Sequence, residues 1–165
     1  MRILKIFIGV GGVVVILAVC LFATSSLSGF AQTDPFIGTW KLNLAKTKYS
    51  PGPPPQSGTV TYEAVGQGYK ITIKGTDADG KPINSQFTGN FDGKDYPVSG
   101  NPDQDMTTLK RIDAYKIEFT RKKVGNVVAT VTSVVSKDGK TRTVTEKGVN
   151  AKGEKFSNIV VYDKQ

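Results

Sequence analysis

The stretch Thr59-Val60-Thr61-Tyr62-Glu63-Ala64-Val65-Gly66-Gln67-Gly68-Tyr69-Lys70-Ile71-Thr72-Ile73-Lys74 decides the fold. Val60, Tyr62 and Ala64 alternate with Thr59, Thr61 and Glu63, and Tyr69, Ile71 and Ile73 alternate with Lys70, Thr72 and Lys74. Alternation of period two puts apolar side chains on one face of a pleated strand and polar ones on the other. Between the runs stands Gly66-Gln67-Gly68, whose glycines tolerate the positive φ of a tight turn. The stretch predicts an antiparallel hairpin with one face to hide.

The same pattern extends in both directions. Upstream, Trp40, Leu42 and Leu44 share a face over 38–44. Downstream, Ile83, Phe87 and Phe91 share one with Ser85 and Gly89. Further strands are expected over 107–112, 115–122, 127–136, 141–149 and 156–163, with a short piece at Tyr96-Pro97-Val98, giving about ten in all. Turn chemistry separates them at Asp79-Gly80-Lys81, Asp92-Gly93-Lys94, Gly125-Asn126, Asp138-Gly139-Lys140 and Lys152-Gly153-Glu154. Short turns make consecutive strands antiparallel neighbours. The one long connection, 45–57, holds Pro51, Pro53, Pro54 and Pro55 and is expected to run extended across an open end. No stretch beyond Gln32 keeps helical spacing for three turns. The expected fold class is all-β: an antiparallel up-and-down meander barrel of about eight to ten strands, since closure hides the apolar face and the edges together. A two-sheet sandwich is the alternative, though Greek-key connections are usually longer than these turns.

Composition removes several kinds of chemistry. The chain has 165 residues, no His and one Cys. Without His there is no Ser-His-Asp or Cys-His pair and no imidazole metal ligand. With one Cys there is neither an intrachain disulfide nor a thiolate cluster. The 134 residues after Ala31 carry 20 basic and 14 acidic side chains, a net +6. The lysines are spread through nearly every strand and turn among Asp and Glu, which describes a solvated surface and not a nucleic-acid patch. Asp77-Ala78-Asp79-Gly80 has its Gly too early for a calcium loop. After Asn101-Pro102-Asp103-Gln104-Asp105, Met106 and Ile112 stand where Gly and Glu are required. No metal and no cofactor are expected.

The N-terminal segment bears on compartment. Basic Arg2 and Lys5 precede an apolar run over 6–23, and a small polar tail ends at Gly29-Phe30-Ala31. Small residues at 29 and 31 frame a cleavage point before Gln32, as in a secretory signal peptide. The run is 18 residues, longer than the roughly 7–15 of a signal core and near the ~17–25 that span a bilayer. An uncleaved anchor over 6–23 is therefore the alternative, and the only membrane contact expected. Cys20 has bulky Val19 before it and Leu21-Phe22 after it, a poor lipidation context. The expected layout is a signal peptide or anchor over 1–31 and one barrel domain over 32–165, exported to a periplasm or secreted.

Asp34-Pro35-Phe36-Ile37-Gly38-Thr39-Trp40 contains a Gly-x-Trp motif that resembles the opening strand of the calycins, the superfamily of lipocalins and fatty-acid-binding proteins. With Pro51-Gly52-Pro53 and Ser136-Lys137-Asp138-Gly139-Lys140, it is similar to a group of exported bacterial lipocalin-like proteins whose function is unassigned. The resemblance implies that Trp40 packs across the closed end of a barrel, beneath a basic side chain from a late strand. Two family features are missing. Residues 45–57 are too short and Pro-rich for a helical lid, and the last strand reads Val160-Val161-Tyr162, with Tyr present but no Arg for the family's Arg-x-Tyr carboxylate clamp.

The cavity candidates follow from strand phase. Trp40 is either the plug or part of a cavity floor. Tyr62, Tyr115 and Tyr162 fall on apolar phases, as Tyr69 does, and either fill the core or offer hydroxyls to a ligand. Arg121 is in phase with Tyr115, Ile117 and Phe119, and Arg142 with Val144 and Glu146. An inward Arg must be paired or bind an anion, and an Arg142–Glu146 partnership along one strand is conceivable. The alternative is that both Arg side chains lie outside or snorkel at strand ends. Ile71, Phe87 and Phe119 complete the set. The expected function is a monomeric, non-enzymatic barrel binding a small, partly apolar molecule. The rival is a filled barrel acting through its surface as an envelope or interaction module.

Overall fold

A computed structural model of the chain describes residues 34–150 and 152–165. The expected signal peptide or anchor over 1–31, with Cys20, lies outside the described residues. Ten strands follow in order: β1 (Gly38–Leu42), β2 (Ser57–Val65), β3 (Gly68–Thr76), β4 (Pro82–Asn90), β5 (Tyr96–Ser99), β6 (Met106–Asp113), β7 (Lys116–Lys123), β8 (Asn126–Val135), β9 (Thr141–Val149) and β10 (Lys155–Lys164). Each pairs antiparallel with its sequence neighbours, and β1 pairs with β10, so the ring closes as an up-and-down barrel. The alternation sorts the faces as the sequence predicts: Ser85 and Phe87 on β4, and Ala129, Val131, Ser133 and Val135 on β8, are buried. The sandwich alternative is excluded by the β1–β10 closure. The ladder is thinnest at β5, which contributes two paired positions on each side. Pro97 there has no N–H to donate.

Opposite ends of the barrel are built differently. At the closed end Phe36 and Trp40 are fully buried, and the Trp40 indole N–H donates to the Phe36 carbonyl at 2.8 Å. Lys164, on the last strand, holds its ammonium 5.1 Å from the Trp40 ring centre, the basic cover that the resemblance implied. Beside the plug, Arg111 pairs with Asp34 and stacks 4.5 Å over Phe91. Tyr69 donates to Asp34 and receives a hydrogen bond from Arg111. This cluster ties the entering chain to β3 and β6.

The open end carries the longer connection. β1 stops at Leu42 because Asn43 turns the chain into a single 3-10 turn, Leu44–Lys46, its side chain accepting from the Lys46 N–H. Leu44, expected on the Trp40 face, is consequently 46% exposed. The chain then returns alongside β10: Lys48 bridges Ile159, and the Ser157 N–H donates to the Ser50 carbonyl at 2.8 Å. The proline connection thus extends the seam between β1 and β10 and places Tyr49 against Val131, Val144 and Val160.

The β7–β8 turn differs from expectation by one residue. A bulge between Arg121 and Lys122 shifts the register, so the turn is Val124-Gly125, with φ of 47° and 77°. Both central residues of such a turn need positive φ, which a β-branched residue adopts only with strain. Val124 is also 78% exposed. Val124→Asn is expected to stabilise the barrel by about 1 kcal/mol, seen as a higher urea midpoint with unchanged slope.

Candidate functional site

The inward faces enclose a cavity of about 70 Å³. Tyr62 on β2, Ile71 on β3, Phe87 on β4, Phe119 and Arg121 on β7, Arg142 on β9 and Tyr162 on β10 all line it. Trp40 closes the barrel beneath it, 5.8 Å from the Arg142 guanidinium carbon. Tyr115 is the exception. Its phase matches Ile117, but β7 begins at Lys116, so Tyr115 sits in the closed-end turn with the Lys137 ammonium over its ring, away from the cavity. Tyr69, also in phase, belongs to the closed-end cluster with Asp34 and Arg111.

Both arginines that could have lain outside face the cavity. Arg142 is 3% exposed. Its Nη1 donates to the Tyr62 hydroxyl at 2.8 Å and to the Ser133 hydroxyl at 3.4 Å, while Nε and Nη2 are buried without a hydrogen-bond partner. Tyr162 lies opposite Arg142 in the β9–β10 ladder, with its ring centre 4.2 Å from the guanidinium carbon. Glu146 does not serve Arg142. Its carboxylate accepts from Arg121 Nη2 at 2.7 Å, a contact between β9 and β7.

Sequence reasoning missed the residues that the connections bring to the site. Tyr49 enters from the proline connection, beside Glu146 and Tyr162. Asn101 and Gln104 enter from the loop between β5 and β6, and Gln104 is buried at 7% exposure. No periodicity marks a loop residue as inward. That loop is fastened to the β7–β8 hairpin by Asp105, whose N–H donates to Lys122 and whose carboxylate accepts from the Val124 N–H at 2.8 Å. Beside it lies a second space of about 410 Å³ at the mouth, walled by Asn101, Gln104, Arg121, Val128, Val149 and Phe156 among others. Asn101, Gln104 and Arg121 border both spaces.

Burial governs the tyrosines. Desolvation raises the Tyr62 and Tyr162 hydroxyls well above the ordinary value, with Arg142 pulling both partly back. Tyr49 is raised by burial and by Glu146, and Tyr69 by burial and its hydrogen bond to Asp34. The folded state therefore holds these four protons at pH values where the unfolded chain, titrating near about 10, releases them. Stability contributed this way is complete below about pH 10 and is lost as pH rises beyond it. At pH 11, absorbance at 295 nm is expected to show these four tyrosines protonated in the native barrel and to step upward on unfolding in denaturant.

No family model matches the chain, and no curated protein does. Solved structures do. Zebrafish ileal bile acid-binding protein, complexed with cholic acid, is similar with a TM-score of 0.49 and 15% identity, over 79% of this chain and 98% of that one. The redesigned β-barrel mFAP1, bound to DFHBI, gives 0.39 and 16%, over 76% and 94%. The likeness is one of fold. The ten-strand closed meander falls within the eight to ten strands that the sequence pattern predicts.

Proposed function

We propose that the chain is an exported, non-enzymatic barrel that holds a small, partly apolar molecule at its open end. The observation that carries this reading is the inward cavity of mixed polar and apolar lining, which shares Asn101, Gln104 and Arg121 with a neighbouring space of about 410 Å³, a volume within the roughly 300–1,000 Å³ of small-molecule sites. A barrel serving only as an interaction surface has no use for inward Arg, Tyr and Gln side chains, which are harder to bury than aliphatic ones. The rival filled barrel draws support from the inner cavity, whose ~70 Å³ is far below that range. Absence of His from the whole chain removes imidazole acid–base and nucleophile-activating chemistry from this reading. Residues 1–31 act in this reading as the export signal and 32–165 as the barrel domain.

Native mass spectrometry of protein purified from its own host tests both parts. The expected spectrum shows a chain beginning at Gln32 and a co-purifying species of small mass. A clean apo mass under gentle ionisation favours the filled barrel, and a chain retaining 1–31 in the membrane fraction favours the anchor.

A further inference from the structure

We infer that the molecule held at the open end is a neutral sugar ring, seated in the mouth on the Phe156 ring and the Gln104 amide. This names the ligand class of the binding site proposed above and rests on that reading.

Volume places the ligand. The inner cavity of about 70 Å³ has room for roughly five waters, too little for an alkyl chain or a fused ring system. The neighbouring space of about 410 Å³ is large enough for a small molecule. A ligand of that size sits on the mouth side of Asn101, Gln104 and Arg121, which border both spaces.

Register shapes the mouth. Phe156 stands opposite Gly148, Gly148 opposite Ala129, and Ala129 opposite Arg121, across β10, β9, β8 and β7. Directly opposed residues share a face of a sheet, so these four form one inward row. It begins with an aromatic ring and ends with a guanidinium, with no side chain at 148 and a single methyl at 129 between them. With strands ~4.8 Å apart, the ends of the row are about 14 Å from each other, and its middle is a low shelf. The shelf stays low because a Cβ at Gly148 would collide with the Val128 carbonyl oxygen.

Chemistry names the class. Among the described residues, Phe156 is the one aromatic side chain in the mouth. The negative face of its ring draws the weakly positive C–H bonds of an apolar surface. A flat heteroaromatic ligand has two apolar faces, and the mouth has no second ring to cover the other. The mouth also takes in Gln104, which is 7% exposed and whose amide makes no hydrogen bond among the described residues. A buried polar group without a partner is costly, and an amide offers donors and an acceptor side by side. Asn101 commits its side-chain oxygen to the Asp103 N–H at 2.9 Å and keeps its NH2 group. Hydroxyls match these amides because each donates and accepts. Charge does not call for an ion. Arg121, at the end of the row, is balanced by Glu146 at 2.7 Å. Lys123, Lys152 and Asp103 in the wall are of both signs, and none of them is buried. One apolar face of C–H bonds within a rim of hydroxyls describes a pyranose.

Isotope-labelled protein, purified in the form its host produces, is titrated with the methyl glycosides of glucose, galactose and mannose and with N-acetylglucosamine. Glucuronate, adenosine and octanoate are the rival probes. Calorimetry gives the affinities, and nuclear magnetic resonance follows the Gln104 side-chain NH2 and the Phe156 N–H. At least one neutral sugar is expected to bind at least tenfold more tightly than every rival and to shift both signals. Phe156→Leu keeps apolar bulk without a flat face, and Gln104→Met keeps length without the amide; each is expected to lower sugar affinity at least tenfold. Glucuronate, adenosine or octanoate as the tightest probe overturns the sugar in favour of an anion, a heteroaromatic or an apolar chain, while the binding reading stands. A sugar that binds without moving either signal, or that binds both variants as well as the unaltered chain, overturns the placement. No binding of any probe overturns the sugar assignment, and joined to a clean apo mass it overturns the binding reading as well. If neither variant folds, the probe series on the unaltered chain decides.

Discussion

Trp40→Ala is expected to lower the stability of the barrel by about 3–5 kcal/mol, the largest loss from any single truncation considered. Three costs combine. Fully buried Trp40 gives up its apolar contacts, and the closed end cannot collapse to fill the space because Phe36, Tyr62 and Tyr69 are held against one another as tilted and edge-to-face rings. The Phe36 carbonyl loses its 2.8 Å donor inside the core, an unsatisfied acceptor worth about 1–3 kcal/mol. The Lys164 ammonium loses the ring face beneath it. Urea denaturation followed by far-ultraviolet circular dichroism measures the change without relying on the deleted fluorophore. Trp40→Phe keeps most of the volume and loses the indole N–H, so it is expected to fall between wild type and Trp40→Ala. A loss under about 1 kcal/mol for Trp40→Ala contradicts a packed plug at this position.

Much of the fold is legible in the sequence because hairpin meanders are specified locally. Thr141-Arg142-Thr143-Val144-Thr145 alternates between two faces, and Asp138-Gly139 before it supplies the turn, so β9 has the bounds that its sequence predicts. Closure is different. Trp40 pairs with Lys164 and Val60 across separations that no window of neighbouring residues contains; it follows from the need to cover edges. Local capping overrides period two at Leu44, where Asn43 turns the chain. It is also overridden at Val124, where the upstream bulge moves the turn by one residue.

The site is legible by face and not by height. Strand phase alone picks out Tyr62, Ile71, Phe87, Phe119, Arg121, Arg142 and Tyr162, and all seven line the cavity. Phase cannot say where along the barrel axis a residue lies, and Tyr115 shows the consequence: correct face, closed-end turn. Nor does it give partners across the barrel. Glu146 follows Arg142 along β9, yet its hydrogen bond goes to Arg121 two strands away, because a cross-barrel reach depends on register that spacing within one strand does not contain. Gln104 and Tyr49 come from connections, which have no periodicity to read.

Arg142→Met is expected to act in the opposite sense to Trp40→Ala, raising the stability of the ligand-free barrel by about 1–3 kcal/mol. A guanidinium that is 3% exposed, with Nε and Nη2 unpartnered, has lost much of its hydration without full replacement. Met fills a similar elongated volume and adapts to irregular space. The main losses that oppose the gain are two: the Tyr62 hydroxyl gives up its 2.8 Å partner, about 0.5–1.5 kcal/mol, and the Tyr162 ring gives up a cation 4.2 Å away, about 0.5–2 kcal/mol; the 3.4 Å bond to Ser133 and the more distant Tyr62 and Trp40 rings add less. The desolvation of an unpaired ion, several kcal/mol, exceeds their sum. Tyr62→Phe combined with Arg142→Met isolates the Tyr62 hydroxyl and is expected to gain slightly more than Arg142→Met alone, since the O–H that lost its Arg142 partner is then removed. Denaturant midpoints of the three proteins decide the sign. A net loss above about 1 kcal/mol for Arg142→Met would mean that ring contacts outweigh desolvation, and the guanidinium would then be explained by stability alone; a gain leaves binding as the reason for keeping a charge there, since a residue that weakens the free barrel is retained where function uses it.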